Sequence, residues 1–422
     1  MLNQKATGSA FLQKLAVFYI VIWTISPFME IDMIWRLLAL GCAVVWFAFE
    51  LEGTSYLGRT QLFAVCFAVA VVLIAYLETG SAKGIIRQIA LYIMVICFLM
   101  NYYYRNRWHE LSGLVPLVLI LLIIYNTRTV QALLTDHTLA RKIVRNDEEI
   151  YAYLRKGIGG YSLIYPQVVI FPAIFAWIRK AFRHHKVFFT IGAVWLVSYV
   201  LLLANAGYAT AIAASVIGLA LLLFYRGKNA VPAVLIALGL FVAVMMMIVN
   251  VDSFRNFLLT TFEGTAVEKK INDLMLSAES GAAEGSIYAR IKAYTGSFDT
   301  MLQYPLIGGL WNASGGGHSA ILDIFAKYGV LGGYIYVSML TSVPKYYKEC
   351  YPSSNIRAIA NATLVCILFV AVLDSCTYAF FGMILIVQPL LYEDIMKWSG
   401  RQYENFMDGE SDSHGISQRT EY

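Results

Sequence analysis

The sequence predicts an all-α polytopic membrane protein with about 12 transmembrane helices and two long external loops. Of its 422 residues, 59% are hydrophobic and only 14% are charged. A soluble domain carries roughly 25% charged residues. Apolar runs close to 20 residues recur along the chain, and each is long enough to cross roughly 30 Å of hydrocarbon. The short connections between runs collect lysine and arginine on alternate sides. The formal net charge of +5 is mild, and nothing in its placement points to nucleic acid.

The predicted spans are roughly 11–28, 33–50, 61–78, 85–101, 112–126, 161–178, 188–205, 207–225, 231–250, 329–345, 358–376 and 378–396. With a cytoplasmic N-terminus, the inside connections carry Arg105 and Arg107, then Arg179, Lys180, Arg183 and Lys186. Arg226 and Lys228 follow, then Lys345, Lys348 and Arg357. The outside connection "MEID" (29–32) is acidic. This positive-inside pattern predicts both termini in the cytoplasm. The first apolar run reads as a retained membrane helix rather than a cleaved signal. The last residues, "NFMDGESDSHGISQRTEY", form a polar tail.

The six cysteines fall mostly inside apolar runs, and none forms a CxxC pair, so no zinc site or disulfide framework is indicated. Glu30 and Asp32 make a short acidic pattern on the first outside connection, but nothing else supports a metal there.

Two segments, 127–160 and 251–328, break the rhythm of short connections, and the orientation puts both outside. Loops this long are commonly functional. The first supplies Arg128, Arg141, Arg145, Arg155 and Lys156; the second supplies Arg290, Lys292 and His318. In "SIYARIKAYTGSFDTMLQYP", Ile287, Ile291, Tyr294, Phe298 and Met301 recur at helical spacing. Ser286 suits the N-cap and Pro305 the end of that helix, with Arg290 at the edge of its apolar stripe.

Arginine binds phosphate through a planar fork that stays charged, and histidine is readily tuned to accept a proton near neutral pH. Arginines beside a histidine at a membrane surface suit a lipid-linked diphosphate donor and a hydroxyl nucleophile. Structural readings stand beside that one. Arg141, Lys142, Arg145 and "NDEE" also describe a solvated helix face. Arg290 also suits an ion pair or a headgroup contact, and His318 a cap or exposed residue. Asp374, near the outer end of its span, suits a functional role and is also tolerable there structurally. Asp323 follows His318 by five residues; on a regular helix this leaves them roughly 140° apart, so they share a face only if the helix starts after His318. A transporter would be expected to show two related halves or charges at mid-membrane, and the chain shows no repeat and few mid-span charges.

Arg290, then "QYPLIGGLW" (303–311), then His318 leading into "AILDIFAKYGVLGG" resembles the bacterial O-antigen and capsular polysaccharide polymerases and the related O-antigen ligases. Pro305, Gly308, Gly309, His318, Gly329 and Gly332 carry the likeness, and "GIGGYSLIYP" (157–166) looks like the polymerase branch. The chain departs at Ser319, at Lys327, and in "LANAGYATAI" (203–212), where ligases tend to carry an arginine. The resemblance implies a glycosyltransferase C-type-like fold in a bacterial cytoplasmic membrane, acting on the external face without a metal or other cofactor. It implies transfer of a growing glycan from undecaprenyl diphosphate to a sugar hydroxyl of a lipid-linked repeat unit. His318 would be the base or acceptor-positioning residue and Arg290 the diphosphate ligand. Arg128, Arg141 or Arg155 would help, with Asp323 a weaker candidate. Tyr161, Tyr165, Tyr304 and Trp311 would stack on sugars, although aromatics at a membrane interface also serve as anchors. The implied partners are the lipid-linked oligosaccharide, membrane lipids, a chain-length regulator and a flippase.

Overall fold

The computed structural model describes residues 2–50, 59–80, 102, 108–136, 139, 148–224, 235, 239, 246–264, 266–279, 285–310, 316–351, 353–376 and 378–399. Among these there is no strand. In chain order the helices are α1 (Leu2–Ile25), α2 (Met33–Glu50), α3 (Arg59–Thr79), α4 (Leu114–Thr135), α5 (Glu148–Arg155) and α6 (Tyr161–His184). There follow α7 (Lys186–Ala206), α8 (Ala209–Phe224), α9 (Asp252–Thr261), α10 (Ala266–Glu279) and α11 (Gly285–Gln303). The chain continues with α12 (Ala320–Cys350), α13 (Ser354–Leu373) and α14 (Tyr378–Gly382), then a π turn (Met383–Val387) and α15 (Gln388–Ser399).

Six helical segments are long and apolar enough to cross a membrane: α4, α6, α7, α12, α13 and Ala379–Trp398. Shorter apolar helices at Phe11–Ile25, Met33–Trp46 and Ala209–Phe224 coincide with the predicted spans 11–28, 33–50 and 207–225, and α3 covers 61–78. The predicted span 85–101, most of 231–250, Arg141, Trp311 and the polar tail lie outside the described residues.

Three boundary differences bear on the candidate residues. Helix α4 runs on to Thr135, so Arg128 sits on a helix rather than in a loop; Leu133 buries its side chain and keeps the helix going. Helix α11 starts at Gly285, one residue before the predicted cap, and ends before Pro305. Helix α12 starts at Ala320, nine residues before the predicted span, because Ser319 caps it: its Oγ accepts the Leu322 N–H at 3.1 Å. Gly329 then breaks the helix at φ 65°, ψ −168°.

Helix α6 is the buried centre, packed against α7, α8, α13 and α15, while α7 and α12 turn much of their apolar surface outward. An amide pair pins the core. Asn126 Nδ2 donates to Gln167 Oε1 at 2.9 Å, and Gln167 Nε2 returns a bond to Asn126 Oδ1 at 2.8 Å. Trp195 Nε1 also donates to Gln167 Oε1 (3.1 Å), and Asn126 reaches Ser198 Oγ (3.2 Å). These bonds tie α4, α6 and α7 where no water competes, so each polar group must find its partner inside the protein.

Because α6, α7, α12, α13 and the last span alternate in direction, Tyr161, Ala206, Ala320 and Leu373 share one end of the bundle. His184, Lys186, Cys350, Ser354 and Trp398 share the other. At that second end Glu393 accepts from Tyr347 Oη (3.1 Å) and Asp394 from Trp177 Nε1 (3.1 Å), both carboxylates being buried.

Candidate functional site

The first end of the bundle is assembled from four separate stretches of chain. Helix α6 opens with Tyr161 and Tyr165, one turn apart and therefore on one face. The α7–α8 hairpin turns at Gly207, which takes the left-handed φ of 64° that glycine favours, and presents Tyr208 and Thr210. Helix α13 ends at Asp374, and α11 lies across this end with Arg290 and Tyr294 on one face.

Asp374 is the node of this arrangement and is only 4% exposed. Its Oδ2 accepts from Tyr165 Oη at 2.5 Å and lies 3.4 Å from Arg290 Nη2. Its Oδ1 accepts from the Ser375 N–H (3.0 Å), and its carbonyl oxygen accepts from the Ala320 N–H (2.9 Å). Arg290 Nη1 donates to the Leu373 carbonyl (3.2 Å) and reaches Thr210 Oγ1 (3.5 Å). Tyr294 Oη donates to the same Leu373 carbonyl at 2.8 Å. The guanidinium thus caps the C-terminal end of α13, where the helix dipole favours positive charge.

The guanidinium contacts Thr210, Leu373 and Asp374, and the side chain is 31% exposed. Burial works against the Arg290 charge. Asp374 and the neighbouring tyrosines outweigh it, so the pKa is raised. Tyr294 is also raised, chiefly by burial, with Arg290 pulling the other way.

Beside the ion pair, Tyr161, Tyr165 and Tyr208 stack in a trio. Ring centroids are 4.5 Å apart for Tyr161–Tyr208, 5.4 Å for Tyr161–Tyr165 and 5.8 Å for Tyr165–Tyr208. Tyr165 is buried and spends its hydroxyl on Asp374, so its ring is not open to a sugar as the sequence suggested. Tyr161 is half-buried and keeps part of its surface.

His318 lies in the loop Gly316–Ser319 and is exposed. Asp323 does not pair with it. Asp323 Oδ1 accepts from Ser297 Oγ (2.6 Å) and the Gly316 N–H (3.1 Å), and Oδ2 faces the Ser319 N–H at 3.4 Å. The carboxylate therefore fastens the histidine loop to α11, one turn past Tyr294, and Ala320 fastens it to Asp374. Among the described residues none bonds to the imidazole.

The other candidates sit apart. Arg128 Nη1 donates to the Lys156 carbonyl at 3.1 Å, supporting the turn that leads to Tyr161. Arg155 pairs with Asp32 at 3.4 Å in an exposed contact of the kind that contributes little. Tyr304 is exposed past the end of α11, on the order of 20 Å along the axis from Arg290. Asp374, Thr210 and Tyr208 are the members whose roles sequence reasoning missed. A single acid ending an apolar span was the only signal.

The glycines of 308–333 have a structural task. A Cβ on Gly308 would stand 2.4 Å from the Lys327 carbonyl oxygen, and one on Gly329 would stand 2.2 Å from the Leu306 oxygen. The two backbones cross in contact, sealed by Gly309 N–H to Ala326 O (2.8 Å) and Val330 N–H to Pro305 O (2.8 Å). Gly329 adopts a φ/ψ region essentially restricted to glycine, where another residue costs about 1–3 kcal/mol before any clash. Gly329→Ala is expected to lower the thermal unfolding midpoint of the purified protein by several degrees, against a smaller drop for Gly317→Ala, which meets backbone strain but no clash. Gly317 has open space around it, and although its φ is also positive, its loop is exposed.

Among the described residues no three His, Cys, Asp or Glu side chains converge as a metal-ligand set. Neither a protein-family model nor a curated protein matches the chain.

Proposed function

We propose that this protein is a membrane glycosyltransferase of the polysaccharide-polymerase kind. It moves a growing glycan from undecaprenyl diphosphate to a hydroxyl of an incoming lipid-linked repeat unit on the external face of a bacterial cytoplasmic membrane, without a metal. The carrying observation is the half-buried Arg290, its side chain 31% exposed, at the same end of the bundle as the exposed His318 and the tyrosine trio. The opposite end carries Arg179, Lys180, Arg183, Lys345, Lys348 and Arg357, which supports a cytoplasmic assignment for that end and an external one for the site.

In this reading His318 accepts the proton of the acceptor hydroxyl as its oxygen attacks the anomeric carbon of the donor sugar. The bond from that carbon to the diphosphate oxygen breaks, and undecaprenyl diphosphate leaves with the electron pair. Arg290 stabilises the charge that develops there, at a site where few waters screen it. Tyr161 offers a ring face to a sugar.

The test is polymerisation from purified lipid-linked repeat units with EDTA present. Native protein is expected to make a glycan ladder, and His318→Ala to lower its rate by about 100-fold or more, the contribution typical of a general base. A ladder unchanged by His318→Ala would remove the base assignment. A folded native protein that makes no ladder but moves the lipid-linked unit across vesicles would make it a transporter instead.

A further inference from the structure

The helix that carries Arg290 has three faces rather than two. Taking about 100° per residue, Arg290, Tyr294, Ser297 and Met301 fall within about 60° and turn toward the bundle. About 90° further round lie Ile291, Phe298 and Leu302, within about 40° of one another and all exposed, Leu302 at 61%. Roughly another 100° round are Lys292, Asp299 and Gln303, also exposed. The single apolar stripe expected from sequence is therefore split: Tyr294 and Met301 face the site, while Ile291 and Phe298 face out.

The outward stripe does not stop with the helix. It continues into Leu306 (70% exposed) and Ile307. This turn is bonded to α12 through the Pro305 and Leu306 carbonyls, which accept from the Val330 and Leu331 N–H groups at 2.8 and 3.5 Å. Val330, Leu331 and Tyr334 are exposed in turn, at the start of the apolar stretch after the Gly329 break, where α12 turns its surface outward. An exposed apolar band continuous with the outward surface of a membrane span, and bordered by a charged ridge, has the layout of an interfacial helix.

We infer that α11 and the turn 304–307 are sunk into the outer face of the bilayer, with Phe298, Leu302, Leu306 and Ile307 against lipid acyl chains and Lys292, Asp299 and Gln303 in the headgroup water. The occupant of the stripe is lipid. The inference rests on the membrane-spanning character of the bundle and the external assignment of this end, and not on the transferase reading. Joined to that reading, it places Arg290 at acyl–headgroup depth, so that a diphosphate reaches it while its lipid tail stays in the membrane.

The experiment uses the full chain in liposomes, with the six native cysteines replaced and one nitroxide-labelled cysteine at Leu302, Leu306 or Asp299. Collision with oxygen, which concentrates in lipid, is compared with collision with a water-soluble nickel chelate. The labels at Leu302 and Leu306 are expected to be oxygen-accessible and nickel-protected, with the order reversed at Asp299. Equal nickel access at Leu302 and Asp299 would put the stripe in water and overturn the inference. Protection of Leu302 from both reagents would mean that protein covers it, and would overturn it too. Should the cysteine-replaced chain not fold, the native chain is labelled with a lipid-soluble photoactivated carbene and digested with trypsin. Label in peptide 293–327 at Phe298–Ile307 supports immersion, and its absence there, with α12 labelled beyond Gly329, rejects it. None of these readouts requires the protein to be active.

Discussion

On the proposed transferase reading, Arg290→Ala is expected to lower the rate of glycan polymerisation by about 100- to 1000-fold, the loss seen when one preorganised donor to a developing negative charge is removed. The prediction follows from what the guanidinium does at rest. Three contacts with Asp374, Leu373 and Thr210 hold it in place, so it spends little entropy when an anion arrives. Arg290→Lys keeps the charge but loses the fork, and a single ammonium cannot span Leu373 and Asp374 while contacting a diphosphate. It is expected to recover less than a tenth of the native rate. If the lysine variant polymerises at the native rate, general positive charge suffices and the fork geometry plays no part. The loss should appear with purified lipid-linked repeat units at saturating concentration, because the developing charge is a property of the reaction rather than of binding.

Asp374→Ala is expected to destabilise the fold by about 3 kcal/mol, the range for removing one partner of a buried ion pair. The carboxylate is 4% exposed, accepts from Tyr165 and Ser375, and balances Arg290. Without it a tyrosine hydroxyl and a guanidinium are left facing each other in a poorly solvated cleft. The double variant Arg290→Ala/Asp374→Ala is expected to be more stable than Asp374→Ala alone, since it removes the uncompensated charge. Unfolding in detergent, followed by thermal shift, measures both. If Asp374→Ala polymerises slowly yet unfolds like the native protein, Asp374 takes part in the chemistry and is not a positioning residue.

How far the site was legible differs residue by residue. The α11 helix was read from a 4-3-4-3 spacing, and its end from Pro305, because both signals are local. Arg290 was picked out for its place at the stripe's edge, and that edge is where α11 meets α13. For Asp374 the sequence leaves a functional and an ordinary interfacial reading side by side, and only tertiary contact reveals four groups converging on it. Tyr165 and Tyr161 look alike in sequence, four residues apart, but one is buried by α13 and the other is not. Helical geometry could not exclude Asp323 as a partner of His318, because α12 starts only after His318, at Ala320. Its actual partners, Ser297 and Gly316, come from elsewhere in the same loop.

The membrane class and the punctuation of the second loop were written in composition, hydropathy and the placement of Gly, Pro and Ser. Those features act through local backbone preference and through transfer to lipid, and neither needs a partner. Tertiary structure alone decided which face of α11 meets the site and which meets the outside, because a stripe of apolar residues does not say what covers it. It alone decided that Arg128 and Arg155 stand apart from Arg290, since charge counts carry no distance. It also supplied the reason for Gly308 and Gly329. Two backbones separated by twenty residues of sequence cross where no side chain fits, a constraint that exists only once the chain has folded.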